Sequence, residues 1–90
     1  SVILRSLMGN LNENAKDSFS EAMESMQGLN SKVIERRSTR NELEVSLTYK
    51  GEKSLSRAIG AALKTQATFA QSGRKVDGTK NVICLEGQCP

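Results

Sequence analysis

Residues 43–71, LEVSLTYKGEKSLSRAIGAALKTQATFAQ, carry two different periodicities on either side of one glycine. Leu43, Val45, Leu47 and Tyr49 alternate with Glu44, Ser46, Thr48 and Lys50, the two-residue period of a strand with one buried face. Past Gly51, the residues Leu55, Ala58, Ile59, Ala62, Leu63 and Phe69 return at helical spacing. They predict a helix from about Ser54 to Ser72, closed by Gly73. Gly60, Ala61 and Ala62 give it a narrow waist able to sit close to a sheet. Together the strand and the helix form a packing unit, and the fold class that follows is α+β.

Upstream, Val2, Ile3 and Leu4, with Leu7 and Met8, make an apolar run too short for a helix and stopped by Gly9, which predicts a buried first strand. Asn10 followed by Glu13 reads as a capping box. The helix it opens has an apolar stripe of Leu11, Ala15, Phe19, Ala22, Met26 and Leu29 and ends near Gly28. Val33–Arg37 reads as an edge strand on its two β-branched residues. Ser38–Asn41 is rich in turn formers and joins it as a hairpin to the Leu43–Tyr49 strand. A continuous helix through Asn30–Leu47 is the competing pattern, but it puts Arg36 and Arg40 on the apolar stripe. Downstream, Arg74 and Lys75 read as a basic loop, Asp77-Gly78 as a hairpin-type turn, Asn81–Leu85 as the last strand and Glu86-Gly87 as a further turn.

The order strand, helix, strand, strand, helix, strand resembles the split βαβ arrangement of ferredoxin-like domains. It predicts two helices packed on one face of a four-stranded, mainly antiparallel sheet, with the first and third strands central. Glu44, Ser46, Thr48 and Lys50 then lie on a solvated face. A fold of this kind assigns no function by itself.

Ninety residues make one small domain spanning 1–90, with a core limited to aliphatic residues, Met, one Tyr and two Phe. The net charge of +3 permits contact with nucleic acid or an anionic membrane without demanding it. No apolar run approaches the roughly 20 residues of a membrane-spanning helix. A chain that opens on Ser1 and closes on Cys89-Pro90 is expected to be a piece cut or processed from a larger protein.

Chemistry-bearing residues are few. A two-residue turn at Glu86-Gly87 places Cys84 directly across from Cys89, within disulfide range, and that bond leans the compartment towards secreted or periplasmic. The spacing lacks the Cys-x-x-Cys geometry of redox-active pairs, and two cysteines without histidine do not complete a zinc site. Lack of histidine also removes the usual general base and the Ser-His and Cys-His pairs. Glu21 with Glu24, and Glu42 with Glu44, fall on solvated faces. Gly51-Glu52-Lys53-Ser54 lacks the upstream glycine of a phosphate loop. No enzyme, cofactor or metal is expected.

Charge distribution says more than its total. The first helix carries Glu13, Asp17, Glu21 and Glu24 against Lys16 alone, whereas the second carries Arg57 and Lys64 and no acid. The two helices attract each other inside the domain, or they give its flanks opposite signs suited to head-to-tail assembly. Arg36, Arg37, Arg40 and Lys50, with Lys53 and Arg57, form a basic group around the hairpin, and Arg74, Lys75 and Lys80 form another. The sequence thus points first to a non-enzymatic protein-interaction or assembly domain, contacting protein partners or itself through Glu13, Asp17, Glu21, Glu24, Arg57 and Lys64. The alternative is a nucleic-acid module using Arg36, Arg37, Arg40 and Lys50 on phosphates. A small regulatory or inhibitory protein docking by a strand edge is the third reading.

Overall fold

The structure, a computed structural model, describes residues 1–90. The chain runs β1 (Val2–Arg5), α1 (Glu13–Glu24), β2 (Ile34–Ser38), β3 (Glu42–Ser46), α2 (Leu55–Leu63), a 3-10 turn (Ala67–Phe69), β4 (Gly73–Asp77) and β5 (Lys80–Cys84). The strands form one sheet in the order β2-β3-β1-β5-β4. β1 pairs antiparallel with β3 and parallel with β5, and the two hairpin pairs are antiparallel.

The α+β class is as expected, but the sheet has five strands rather than four and is mixed. Its extra strand, β4, covers the stretch expected as a basic loop. Arg74, Lys75 and Asp77 surround a single apolar Val76, so no alternation marks it, and charged side chains suit the sheet edge it occupies. Asp77 pairs with Lys80, which leaves Gly78-Thr79 as the hairpin loop. Gly78, at φ +62°, holds the first loop position, where a type II′ turn needs a positive φ. With β4 at the edge, β5 turns back inside it and lies parallel to β1. A ferredoxin-like order would have left the last strand outermost.

Other boundaries moved for local reasons. Asn12, not Asn10, caps α1, its side-chain oxygen accepting from the Ala15 amide at 2.8 Å. α1 buries Ala15, Phe19, Ala22 and Met23 and stops at Glu24, where Ser25 turns its hydroxyl onto the Ala22 carbonyl. α2 is only nine residues long, against the longer helix expected. Beyond its end the Thr65 hydroxyl donates to the Ala62 carbonyl at 2.7 Å, and Gln66 is extended. That break lets Phe69 meet Phe19 edge-on, ring centroids 6.2 Å apart. The expected β2–β3 hairpin is present. Thr39 closes it, its amide donating to the Glu42 carbonyl and its hydroxyl accepting from the Glu42 amide. β3 ends at Ser46, and the pattern that continued to Tyr49 survives as one isolated bridge to Leu29.

Both helices cover the face formed by Val2, Leu4, Leu43, Val45 and Ile83, which makes the main core. The other face is not fully solvated, as had been expected. At its centre Ile3, Val82 and Cys84 are buried, with Cys89 packed on them. Cys84 and Cys89 form the expected disulfide, their Cα atoms 5.4 Å apart. The expected strand pairing around it is absent. Leu85–Gln88 is a turn, the Gly87 carbonyl accepts from the Gly73 amide at 3.0 Å, and the last residues fold back over the sheet. Glu86 ties the turn down from beneath. One carboxylate oxygen accepts from the buried Ser6 hydroxyl at 2.5 Å, and the other accepts from the Leu7 amide at 2.6 Å.

The disulfide closes too short a loop to dominate stability, and reduction is expected to cost about 2 kcal/mol. Urea unfolding with and without reductant measures this. Amide exchange should rise most after reduction in residues 85–89, while the slowest amides of α1 and β3 should speed up by no more than the roughly 30-fold that a loss of about 2 kcal/mol gives; a larger rise throughout the core would mean that the tail is integral to the fold.

Candidate functional site

The helix layer gathers the charged residues singled out by sequence, though not on opposite flanks. Glu13, Asp17, Glu21 and Glu24 are all exposed and lie about half a turn around α1 from Ala15, Phe19 and Ala22. Arg57 and Lys64 are exposed and stand likewise about half a turn from Ala58, Ile59 and Ala62 on α2. Both rows therefore project from the same layer, away from the sheet. The rows are staggered along that layer: the end of α1 lies beside Ala58–Thr65, and Glu21 is level with Gln66 just past α2.

They do not neutralise each other. The domain has two ion pairs, Arg5 with Glu42 at 2.7 Å across β1 and β3, and Lys16 with Glu13 at 3.9 Å within α1. Neither joins α1 to α2. The nearest bridge is Gln66, whose amide donates to Glu21 at 3.5 Å. The internal attraction expected between the helices is not realised as ion pairs.

Beside the basic row lies a shallow groove of about 780 Å³, bounded by α2, the 3-10 turn and β4. Lys53, Arg57, Lys64 and Arg74 line it with no acid among them. Arg74 reaches it by crossing the backbone of α2 at Gly60, its guanidinium donating to the carbonyl and hydroxyl of Ser56. A Cβ at Gly60 would meet that guanidinium at 2.8 Å. Arg57 and Lys64 were legible as one row from their helical spacing. Lys53 reads beside Arg57 in the sequence, whereas Arg74 falls in another group, because its approach depends on an edge strand the pattern hides.

A second hollow of about 610 Å³ lies between the end of α1, the Tyr49 loop and α2. Tyr49 walls it, held against Gly28 and Gly51, with its hydroxyl donating to the Lys53 carbonyl at 2.7 Å. No group of three metal-ligating side chains occurs anywhere in the fold.

The residues of the nucleic-acid reading are dispersed. Arg36 sits at a bulge in β2 and donates to the Ser46 hydroxyl at 2.8 Å, and Arg37 stands in register opposite Glu44. Arg40 is in the β2–β3 turn, whereas Lys50 lies beyond the other end of β3, where its amide meets the Gly28 carbonyl. One stripe does not join them. Glu21 and Glu24 are exposed on α1; Glu42 is bound to Arg5, and Glu44 shares the back of the sheet with Arg37. Ser6 is the one buried polar side chain that touches a carboxylate. Its oxygen also accepts from the Met8 and Asn10 amides, so it ties a loop together. Sequence gave no signal for Ser6 and Glu86, which are eighty residues apart.

No helix is long and apolar enough to cross a membrane. The chain matches no protein-family model, and no curated protein or solved structure matches it significantly.

Two glycines should respond in opposite ways to alanine. At Gly60 the clashing atoms are the far end of a flexible side chain, so Gly60→Ala should be neutral or stabilise by up to about 1 kcal/mol as helix propensity rises. At Gly28, φ is +93° and a Cβ would stand 2.5 Å from the Tyr49 ring, so Gly28→Ala should cost at least about 1–2 kcal/mol. Thermal unfolding of the two variants checks the difference in sign.

Proposed function

We propose that this domain is a non-catalytic protein-interaction module that binds through its helix layer. The observation that carries the reading is the pair of exposed stripes on one layer, four carboxylates on α1 and Lys53, Arg57, Lys64 and Arg74 at α2, with no ion pair between them. Like charges held along one row repel, and an opposite row from a partner relieves both repulsions at once. Exposed pairs contribute little singly, about 0–1 kcal/mol, but a row of them sets orientation and on-rate. Support for a non-catalytic role comes from the lack of histidine and from Ser6, whose hydroxyl is fully engaged in a loop. The disulfide is compatible with an oxidising compartment such as the periplasm or the cell exterior.

Phosphate binding is the rival use of the same groove. Titrating the purified domain at low salt with poly-L-glutamate and with a duplex DNA oligonucleotide separates the two. Binding of the acidic polypeptide, weakened at least about tenfold between 50 and 500 mM salt and abolished by Arg57→Glu/Lys64→Glu, is the expected result. Capture of the DNA alone would replace this reading with the nucleic-acid one. Binding of neither, in a domain that also stays monomeric at high concentration, would remove it.

A further inference from the structure

Resting on that reading, we infer that the acidic partner docks as an extended segment, adding a sixth strand to the free edge of β4 with carboxylates at every second residue turned towards the α2 groove. The sheet has two open edges, and they differ. β2 is interrupted by a bulge at Arg36, where its register against β3 shifts. β4 pairs with β5 over all five residues, Gly73–Asp77, without a shift. It is β4 that offers an unbroken ladder to a new strand.

The backbone groups that β4 leaves unpaired follow from its register. Asp77 and Lys80 flank the two-residue loop as a bonded pair, and bonded and unbonded pairs alternate along an antiparallel ladder. Lys75 with Val82 is therefore bonded, whereas Arg74 with Ile83 and Val76 with Asn81 are not. The Asn81 amide fixes the phase, because it donates away from β4, to the Ser1 carbonyl at 3.0 Å. Arg74 and Val76 thus turn their amides and carbonyls off the edge of the sheet. Their side chains share the helix-side face, where Arg74 crosses α2 at Gly60 and Val76 is 62% exposed.

Charge selects the occupant. On the helix side a new strand lies beside Arg74, with Arg57 and Lys64 also lining the groove and no acid among its walls. On the other side it meets Lys75 and Lys80 against Asp77 alone. A second copy of β4 would bring a net positive strand to a net positive edge, which charged edge strands discourage. A strand with acids at period two instead places every carboxylate on the groove side. Its neighbouring side chains shield Val76 as well.

The test is titration of the full chain at low salt with an acetylated, amidated octapeptide of alternating glutamate and valine, read by calorimetry and by amide exchange at single residues. In the free chain the Arg74 and Val76 amides should exchange faster than those of Lys75 and Asp77; saturating peptide should slow the first pair at least about tenfold. This readout needs no variant. Val76→Pro removes an outward amide that β5 does not use, a substitution an edge strand tolerates, and should weaken the peptide at least about tenfold. Val76→Thr, which keeps that amide, should change affinity less than about threefold, with circular dichroism native for both variants. Peptide binding that leaves the Arg74 and Val76 amides fast would overturn the added strand. So would binding of poly-L-glutamate without binding of this peptide, and in either case the helix-layer reading stands. Binding of neither would remove both. Slow Arg74 and Val76 amides in a free chain that sediments at two copies would give the edge to a second copy instead and overturn the acidic strand.

Discussion

The parallel pairing of β1 with β5 joins the first strand of the chain to the last, at the centre of the sheet. All other contacts are arranged around it. Hydrogen bonds at both ends fasten the pair, the Asn81 amide to the Ser1 carbonyl and the Leu85 amide to the Arg5 carbonyl. Val2 and Leu4 point into the helix-covered core, and Ile3 lies in the small cluster on the other side. A strand buried on both faces reads as an unbroken apolar run, which is how Val2-Ile3-Leu4 stands in the sequence.

Burying β1 on both faces creates a problem that the rest of the fold resolves. Two helices suffice for one face of a small sheet. The other face has no third layer, and Ile3 and Val82 would face water. The disulfide tail covers them, with Cys84 beneath and Cys89 above, and the Glu86 carboxylate holds the turn against Ser6 and Leu7. Away from this patch the back of the sheet is charged, with Arg5 paired to Glu42 across neighbouring strands. Covering one patch with a pinned tail costs little chain and leaves the helix layer free.

Much of this was readable where side-chain period reflects burial. Val2–Leu4, Leu43–Val45 and the two helix stripes followed from spacing alone, and the disulfide from a turn at Glu86-Gly87 whose flanking strand pairing does not form. β4 did not, because an edge strand exposed to water has no apolar alternation to display. The length of α2 misled for a related reason: Phe69 continues the apolar count, yet it reaches the core through a 3-10 turn after Thr65 and Gln66 break the helix. For the charged stripes, spacing fixed which residues share a row. Which way the rows face depends on the layer arrangement, a long-range property that no local window contains.

The central position of β1 also bears on how the chain is made. During synthesis Val2-Ile3-Leu4 emerges before the other strands of this sheet, and one side of it has no partner until residue 84 has emerged. At about 5–20 residues per second, the nascent chain spends several seconds with an apolar strand exposed along one edge. β3 can pair with the other edge much earlier, so the half-built sheet is an open β2-β3-β1 ladder with a sticky rim. Such a rim is where chaperones bind and where neighbouring nascent chains join wrongly. The first strand therefore has to suit two surroundings, the finished core and the open ladder that precedes its last neighbour.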